Sequence, residues 1–258
     1  MNKKIGAQFY TICSRIKTLK DFDDACKKVK DMGFEIIQIS GVNLEAKDMK
    51  PIIDKYGLKV VLTHLGYDKF VNDIDGVIEY NKTLGSDFCG LGMMPTQLAE
   101  SNDGVSEFIE KINKACETLK KEDLYFGYHN HAYEFAENDG KRVFDRLLNE
   151  TDKEVFNFIV DTYWLQVGGM NPIKVINELG KRAMAVHFKD YIVKMPEWKV
   201  PRYCEVGAGN LDWDGILEAC DKAGVEHYLI ELDSLWIDDD PFLSLKKSRE
   251  FLVKKGLR

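Results

Sequence analysis

The chain predicts an α/β fold, a (β/α)8 barrel of the TIM type, formed by residues 1–258 as a single domain. Short apolar runs alternate with amphipathic helical patterns eight times. Glycines such as Gly33, Gly57, Gly85 and Gly224 stand where helical patterns stop, as glycine does just past a helix end. No linker-like or low-complexity stretch and no break in composition interrupts the series. Alternation of this kind implies parallel strands, and eight units can close on themselves. An open, doubly wound sheet would usually carry a glycine-rich phosphate turn after its first strand; Gln8-Phe9-Tyr10-Thr11 is no such turn.

The first strand is read over 5–11. A helix follows over 21–32, with Phe22, Ala25, Cys26, Val29 and Met32 at helical spacing. The second strand covers 34–40 and the next helix 46–56. The third pair is 58–64 and 73–84, and the fourth is 86–93 and 105–121. Strand five leaves that helix through Leu124-Tyr125-Phe126 and runs into Gly127-Tyr128-His129-Asn130-His131. A helix at 143–149 precedes strand six at 155–161. The helix at 172–179 starts on Pro172, where a missing N–H costs nothing. Strand seven is 183–188, its helix 213–223, strand eight 227–232, and 241–255 is the last helix.

Hydrophobic residues make up 45% and charged residues 31% of the 258, the balance of a globular protein with a sizeable core. A formal charge of −7, with lysines and arginines scattered among acids, argues against nucleic acid as a partner. No apolar run approaches a membrane span, and the start at Met1-Asn2-Lys3-Lys4 is too short in apolar residues for a signal peptide. The six cysteines are widely spaced with no C-x-x-C pair, which reads as reduced thiols in a cytoplasmic protein. Trp198 and Trp236 are read as exposed aromatics, candidates for a lid or a homo-oligomer contact.

Polar residues collect where these strands end, the end that carries the active site in such barrels. His129-Asn130-His131-Ala132-Tyr133-Glu134 packs two imidazoles, an amide and a carboxylate into six residues, too many for a core strand in which each needs a partner. Period-two alternation points His129 and His131 to one side. Strand six ends on Asp161, strand seven on His187 with Lys189 and Asp190 behind it, and strand eight on Glu231 with Asp233. Glu134, Asp161, His187 and Glu231 form the expected metal site, a donor set suited to one divalent ion: Mn²⁺, Co²⁺, Mg²⁺ or Zn²⁺. The plainer alternatives are an N-cap for Asp161 and a buried, carbonyl-bonded imidazole for His187.

Four segments carry a resemblance: 129–135 (H-N-H-A-Y-E-F), 160–164 (V-D-T-Y-W), 187–190 (H-F-K-D) and 230–233 (I-E-L-D). With Gln8-Phe9-Tyr10-Thr11 and Val206-Gly207-Ala208-Gly209, their order and spacing resemble the xylose-isomerase-like sugar phosphate isomerase/epimerase superfamily, in the branch with an H-N-H-x-x-E-F signature. That resemblance implies one divalent metal held by Glu134, Asp161, His187 and Glu231. Relatives in which the first ligand lies on strand five itself would put His129 or His131 in that place, with Glu134 toward the substrate.

The chemistry implied is a sugar isomerase or epimerase working through a metal-stabilised enediolate, with Glu134 and Glu231 exchanging the proton beside the carbonyl. His187 and Asp161 mainly anchor the ion. Tyr10, His64, His129, His131, Trp164 and Lys189 form the expected carbohydrate-binding set; Tyr133 is read as core lining the mouth, and Lys189 has the alternative of an ordinary surface lysine. A lyase or dehydratase on a keto-inositol or 3-keto-glycoside is the runner-up, with His129 or His131 assisting the leaving group. An endonuclease IV-like phosphodiesterase would need more than five histidines and a basic groove. A non-catalytic sugar-binding barrel would leave its carboxylates without a compensating cation.

Overall fold

The computed structural model describes residues 3–258. Met1 and Asn2, the first half of the polar start read above, lie outside them. Eight parallel strands form a closed barrel: β1 (Ile5–Gln8), β2 (Ile36–Ile39), β3 (Lys59–Leu65), β4 (Phe88–Leu91), β5 (Tyr125–His129), β6 (Phe156–Asp161), β7 (Ala183–Phe188) and β8 (His227–Ile230). Each strand pairs with its neighbour in sequence, and β1 closes the ring on β8 through Ile5↔Tyr228, Gly6↔Leu229 and Ala7↔Ile230. Parallel neighbours of this kind need a crossover between them, and helices such as Leu19–Asp31, Ile74–Leu84 and Asn102–Lys121 supply it.

Helix ends follow their sequence signals. Thr18 and Asp21 form a capping box at the start of Leu19–Asp31, satisfying two end N–H groups reciprocally. Gly85 and Gly224 close their helices in the left-handed conformation, which glycine adopts without steric cost.

Two apolar layers hold the barrel. The larger lies between strands and helices and includes Phe22, Phe108, Phe126, Phe156 and Leu252. A separate cluster of Ile36, Phe88, Ile159, Ala185 and Leu229 fills the barrel itself. Gly6, Gly90 and Gly127 sit against these side chains; an added Cβ would strike Leu229 at Gly6, the Thr63 carbonyl at Gly90 and the Phe88 ring at Gly127. The strands therefore bury both faces, and their sequences read as apolar runs instead of alternating patterns.

Several elements escape the period-based reading. Phe9–Arg15 coils into a 3₁₀ helix after β1, so that strand is shorter than expected. Short helices at Tyr67–Asn72, Thr96–Ala99 and Thr162–Val167 lie between strands and main helices. Past β7 the chain makes an antiparallel hairpin, Asp190–Ile192 against Arg202–Cys204. Its tip exposes Met195, Trp198 and Val200. Trp236, in contrast, is half-buried and donates its indole N–H to the Leu232 carbonyl at 3.0 Å.

Asp190 organises this insertion. Its buried carboxylate accepts N–H bonds from Tyr191 (2.7 Å), Gly207 (2.8 Å), Gly209 (3.1 Å) and Leu211 (3.3 Å), and from the Trp213 indole (2.6 Å). The Gly207 and Gly209 amides of this turn thus point at a carboxylate of their own chain, and the Ala208 N–H donates to the Glu205 carbonyl. Gly209 admits no side chain, because a Cβ would meet Asp190 and the Tyr191 carbonyl. Asp190→Asn replaces one acceptor oxygen with an amine and strands buried donors, which should cost about 1–3 kcal/mol. Thermal melting reads this directly; a wild-type melting temperature would refute the hub role.

Candidate active site and metal centre

Strand register brings the site together. Asp161 is the register partner of His187 between β6 and β7, and His187 in turn pairs with Leu229 of β8, two residues before Glu231. A register shift between Phe158 and Ile159 precedes Asp161, and another between Ile37 and Gln38 adjoins the amide that reaches His187. Such irregularities re-aim side chains at barrel rims. His129 ends β5 next to them. One donor atom from each of His129, Asp161, His187 and Glu231 lies within 4.8 Å of every other, and all four residues are buried.

Both imidazoles present a bare nitrogen to this cluster. The Nδ1 of His129 lies 3.1 Å from the Gly92 carbonyl, which can only accept, so the proton sits there and Nε2 faces Asp161 Oδ2 at 3.4 Å. His187 Nε2 lies 2.7 Å from Gln38 Oε1, again an acceptor, so Nδ1 is left bare. His187 Nδ1 and Glu231 Oε2 stand 2.9 Å apart, yet neither has an aligned hydrogen-bond partner. Two lone pairs facing one another in a buried site suit a shared cation.

Asp161 divides its oxygens. Oδ1 caps the Thr162–Val167 helix through the Trp164 N–H at 2.8 Å, and Oδ2 faces the cluster. Its own N–H donates to Asn130 Oδ1 at 3.0 Å, so the middle residue of H-N-H fixes the end of β6. Lys189 is buried, with Nζ 3.0 Å from Asp161 Oδ2, Glu231 Oε2 and Asp233 Oδ1. Its ammonium also lies over the rings of Trp164 and Tyr203, 5.7 and 5.6 Å from their centroids.

The electrostatics follow from this packing. Burial alone would lower the Lys189 pKa, but Asp161, Glu231 and Asp233 more than reverse it and hold the ammonium well above the ordinary lysine range. Burial would raise the Glu231 carboxyl, whereas Lys189 and His187 hold it well below the usual range. Asp161 is lowered in the same way by Lys189 and His129 against its burial. Asp233 is raised, chiefly by burial. Burial pulls His187 down, and it pulls His131 down to about 3 with the help of the neighbouring His129. Burial also draws His129 down, but Asp161 and Glu231 outweigh it and leave a net rise.

Glu134, expected as the first ligand and as one of the proton-exchanging pair, is not among the four clustered residues. His129 stands in that position. Glu134 is buried one turn further on, where Oε1 accepts from the Tyr128 hydroxyl at 2.6 Å and Oε2 from the His131 backbone N–H at 2.9 Å. The 3₁₀ turn Tyr133–Phe135 carries it away from the direction of β5. Tyr133 belongs to the same buttress, its hydroxyl donating to the Met94 carbonyl at 2.9 Å.

A cavity of about 430 Å³ opens over the cluster. Tyr10, His64, His129, His131, Trp164 and Lys189 all line it, together with Glu231 and Asp233. Gln8 Nε2, His64 Nε2, His131 Nδ1 and Trp164 Nε1 are buried and without partners. His227 stands at the start of β8, against Phe88 at the other end of the barrel. Gln38, Asp190 and Tyr203 lay outside the expected site set. Gln38 and Asp190 were visible as polar residues at strand ends, but their partners are not local in sequence.

Comparison with known proteins agrees with this architecture. A sugar phosphate isomerase/epimerase from Parabacteroides distasonis superposes with a TM-score of 0.80 at 22% identity, covering 98% of this chain and 94% of that one. A probable 3-DHS dehydratase from Bacillus anthracis superposes with a TM-score of 0.74 at 14% identity, over 97% and 98%. In sequence, the chain is 25% identical over 179 residues to an inosose dehydratase from Geobacillus thermodenitrificans. That match takes in 62% of this chain and 59% of the dehydratase. The family model of xylose isomerase-like TIM barrels matches residues 26–255, and the chain belongs to that family.

Proposed function

We propose that this protein is a divalent-metal-dependent sugar isomerase or epimerase that moves a proton beside the carbonyl of a keto- or aldo-sugar. One observation carries the reading: the charge balance at the barrel mouth. Asp161, Glu231 and the half-buried Asp233 face a single ammonium, Lys189, which leaves a formal charge of −2 at the barrel mouth. Burying uncompensated charge is costly, and a divalent cation between His129, Asp161, His187 and Glu231 restores neutrality. A bound ion of this kind supplies Lewis-acid polarisation of a substrate carbonyl.

The chain's own groups do the rest. Glu231 lines the cavity and serves as one proton-carrying group, with its orientation set by Lys189. The role assigned from sequence to Glu134 passes to His131, which lines the cavity and keeps a buried Nδ1 without a partner. Glu134 acts through it, holding the His131 backbone N–H. Trp164 offers an N–H donor to substrate oxygens, and Tyr10 and Trp164 wall the sugar. The net charge of −7 disfavours a nucleic-acid substrate, and six unpaired cysteines suit a reducing compartment such as the cytoplasm. No helix among the described residues is long and apolar enough to cross a membrane.

A lyase is the second reading, favoured by the likeness to an inosose dehydratase. Proton removal would then be followed by loss of a β-hydroxyl, with His131 or His64 as the acid. Proton exchange in D₂O against ketoses, aldoses and 3-keto-glycosides, followed by ¹H NMR with metal-stripped and Mn²⁺-loaded protein, separates the two by product. Metal-dependent exchange is expected, and Glu231→Gln should slow it by about 10²–10⁴-fold. Wild-type turnover in that variant would remove Glu231 from the proton-carrying role.

Metal affinity gives a further check. Gln38→Leu frees the His187 ring and should weaken metal binding about 10–100-fold, read by competition with a chromophoric chelator. Unchanged affinity would mean that Gln38 does not set the ring. Glu134→Gln should keep the wild-type metal content by elemental analysis, while loss of metal would return Glu134 to the ligand set.

A further inference from the structure

A second cavity of about 530 Å³ adjoins the first and shares Ser40, His64 and Leu65 with it. One wall is the loop after β2, with Asn43 and Glu45, continued by Lys47 at the start of the helix Ala46–Lys55. The other is the Ile74–Leu84 helix, with Glu79, Tyr80 and Thr83, and Lys69 reaches in beside them. Either volume alone falls in the range of about 300–1,000 Å³ that accommodates a small ligand. A single sugar ring over the metal cluster would leave the second cavity to solvent.

The charges select what fits there. Lys47 and Lys69 are matched by Glu45 and Glu79, and Lys69 is already paired with Asp73 at 2.7 Å. In the first cavity the only lysine or arginine is Lys189, which is shared among three carboxylates. A phosphate group would find Lys69 and Lys189 already paired with acids, and Glu45 and Glu79 lining the same cavity as Lys47. Amide, hydroxyl and balanced charged groups around the ring of Tyr80 suit neutral hydroxyls and a sugar face instead. His64, at the seam, keeps a buried Nε2 without a partner.

We propose that the two cavities form one groove for an unphosphorylated, two-unit carbohydrate: the reacting unit sits over His129, Asp161, His187 and Glu231, and a glycosidically linked neutral unit occupies the second cavity. This rests on the carbohydrate reading above and names its substrate class. Its test reads binding and not turnover, so the two can fail separately.

Isothermal titration of the metal-loaded protein would compare glucose, galactose and glucose 6-phosphate with a panel of glucosyl and galactosyl disaccharides. At least one disaccharide should bind tenfold or more tighter than its component monosaccharides and than the phosphate ester. Thr83→Phe, which fills the second cavity from the helix, should abolish that gain and leave monosaccharide affinity unchanged. Asn43→Trp, on the exposed loop opposite, should do the same and keeps the test decisive if Thr83→Phe misfolds. The proposal is overturned if the phosphate ester binds tightest, if no disaccharide exceeds its monosaccharides, or if the gain survives both substitutions.

Discussion

Three carboxylates converge on the Lys189 ammonium at the mouth of the barrel, and much of the site follows from that constraint. A buried lysine is tolerated only with compensating charge, so Asp161 from the end of β6 and Glu231 and Asp233 from the chain after β8 come to one point. Their surplus negative charge is what the proposed divalent cation would offset. The same geometry explains why both neighbouring imidazoles give their protons outward, to Gly92 and Gln38, and keep bare nitrogens inward. Charge, tautomer and strand register are thus one arrangement.

Around this centre lies a layer whose task is to hold directions. Asn130 fixes the end of β6, Gln38 the ring of His187, and Thr162 ties β6 to the chain after β7 through the Lys189 carbonyl at 2.8 Å. Glu134 and Tyr128 brace the turn that carries His131. Asp190 gathers the loop beyond the hairpin that brings Tyr203 over Lys189. Each of these groups makes its positioning hydrogen bond within the protein. Among the buried atoms left without a partner, His64 Nε2, His131 Nδ1 and Trp164 Nε1 belong to residues that line the cavity, where a polar ligand would meet them.

The fold family admits more than one reaction, since isomerisation, epimerisation and elimination all begin with loss of a proton beside a carbonyl. What separates them here is the disposition of the second proton-carrying group and the space around the leaving group. The proposed reaction assigns those places to His131 and His64, both of which line the first cavity, and the adjoining cavity lies on the His64 side.

The barrel was legible in the sequence because eight repeats of an apolar strand and an amphipathic helix leave few other ways to bury both faces of each strand. Strand-end polarity was legible too: Asp161, His187, Lys189 and Glu231 each stand where an apolar run stops. Glu134 was not assigned correctly to a place by spacing alone, since one 3₁₀ turn after β5 sends its side chain to Tyr128 and leaves His129 in the cluster. The partners Gln38–His187 and Asp190–Gly207 lie 149 and 17 residues apart, and only closure of the barrel and folding of the hairpin bring them together. Periodicity records which face a residue takes within its own element. The direction of a loop carboxylate, and the tautomer of a histidine, depend on neighbours that only tertiary structure supplies.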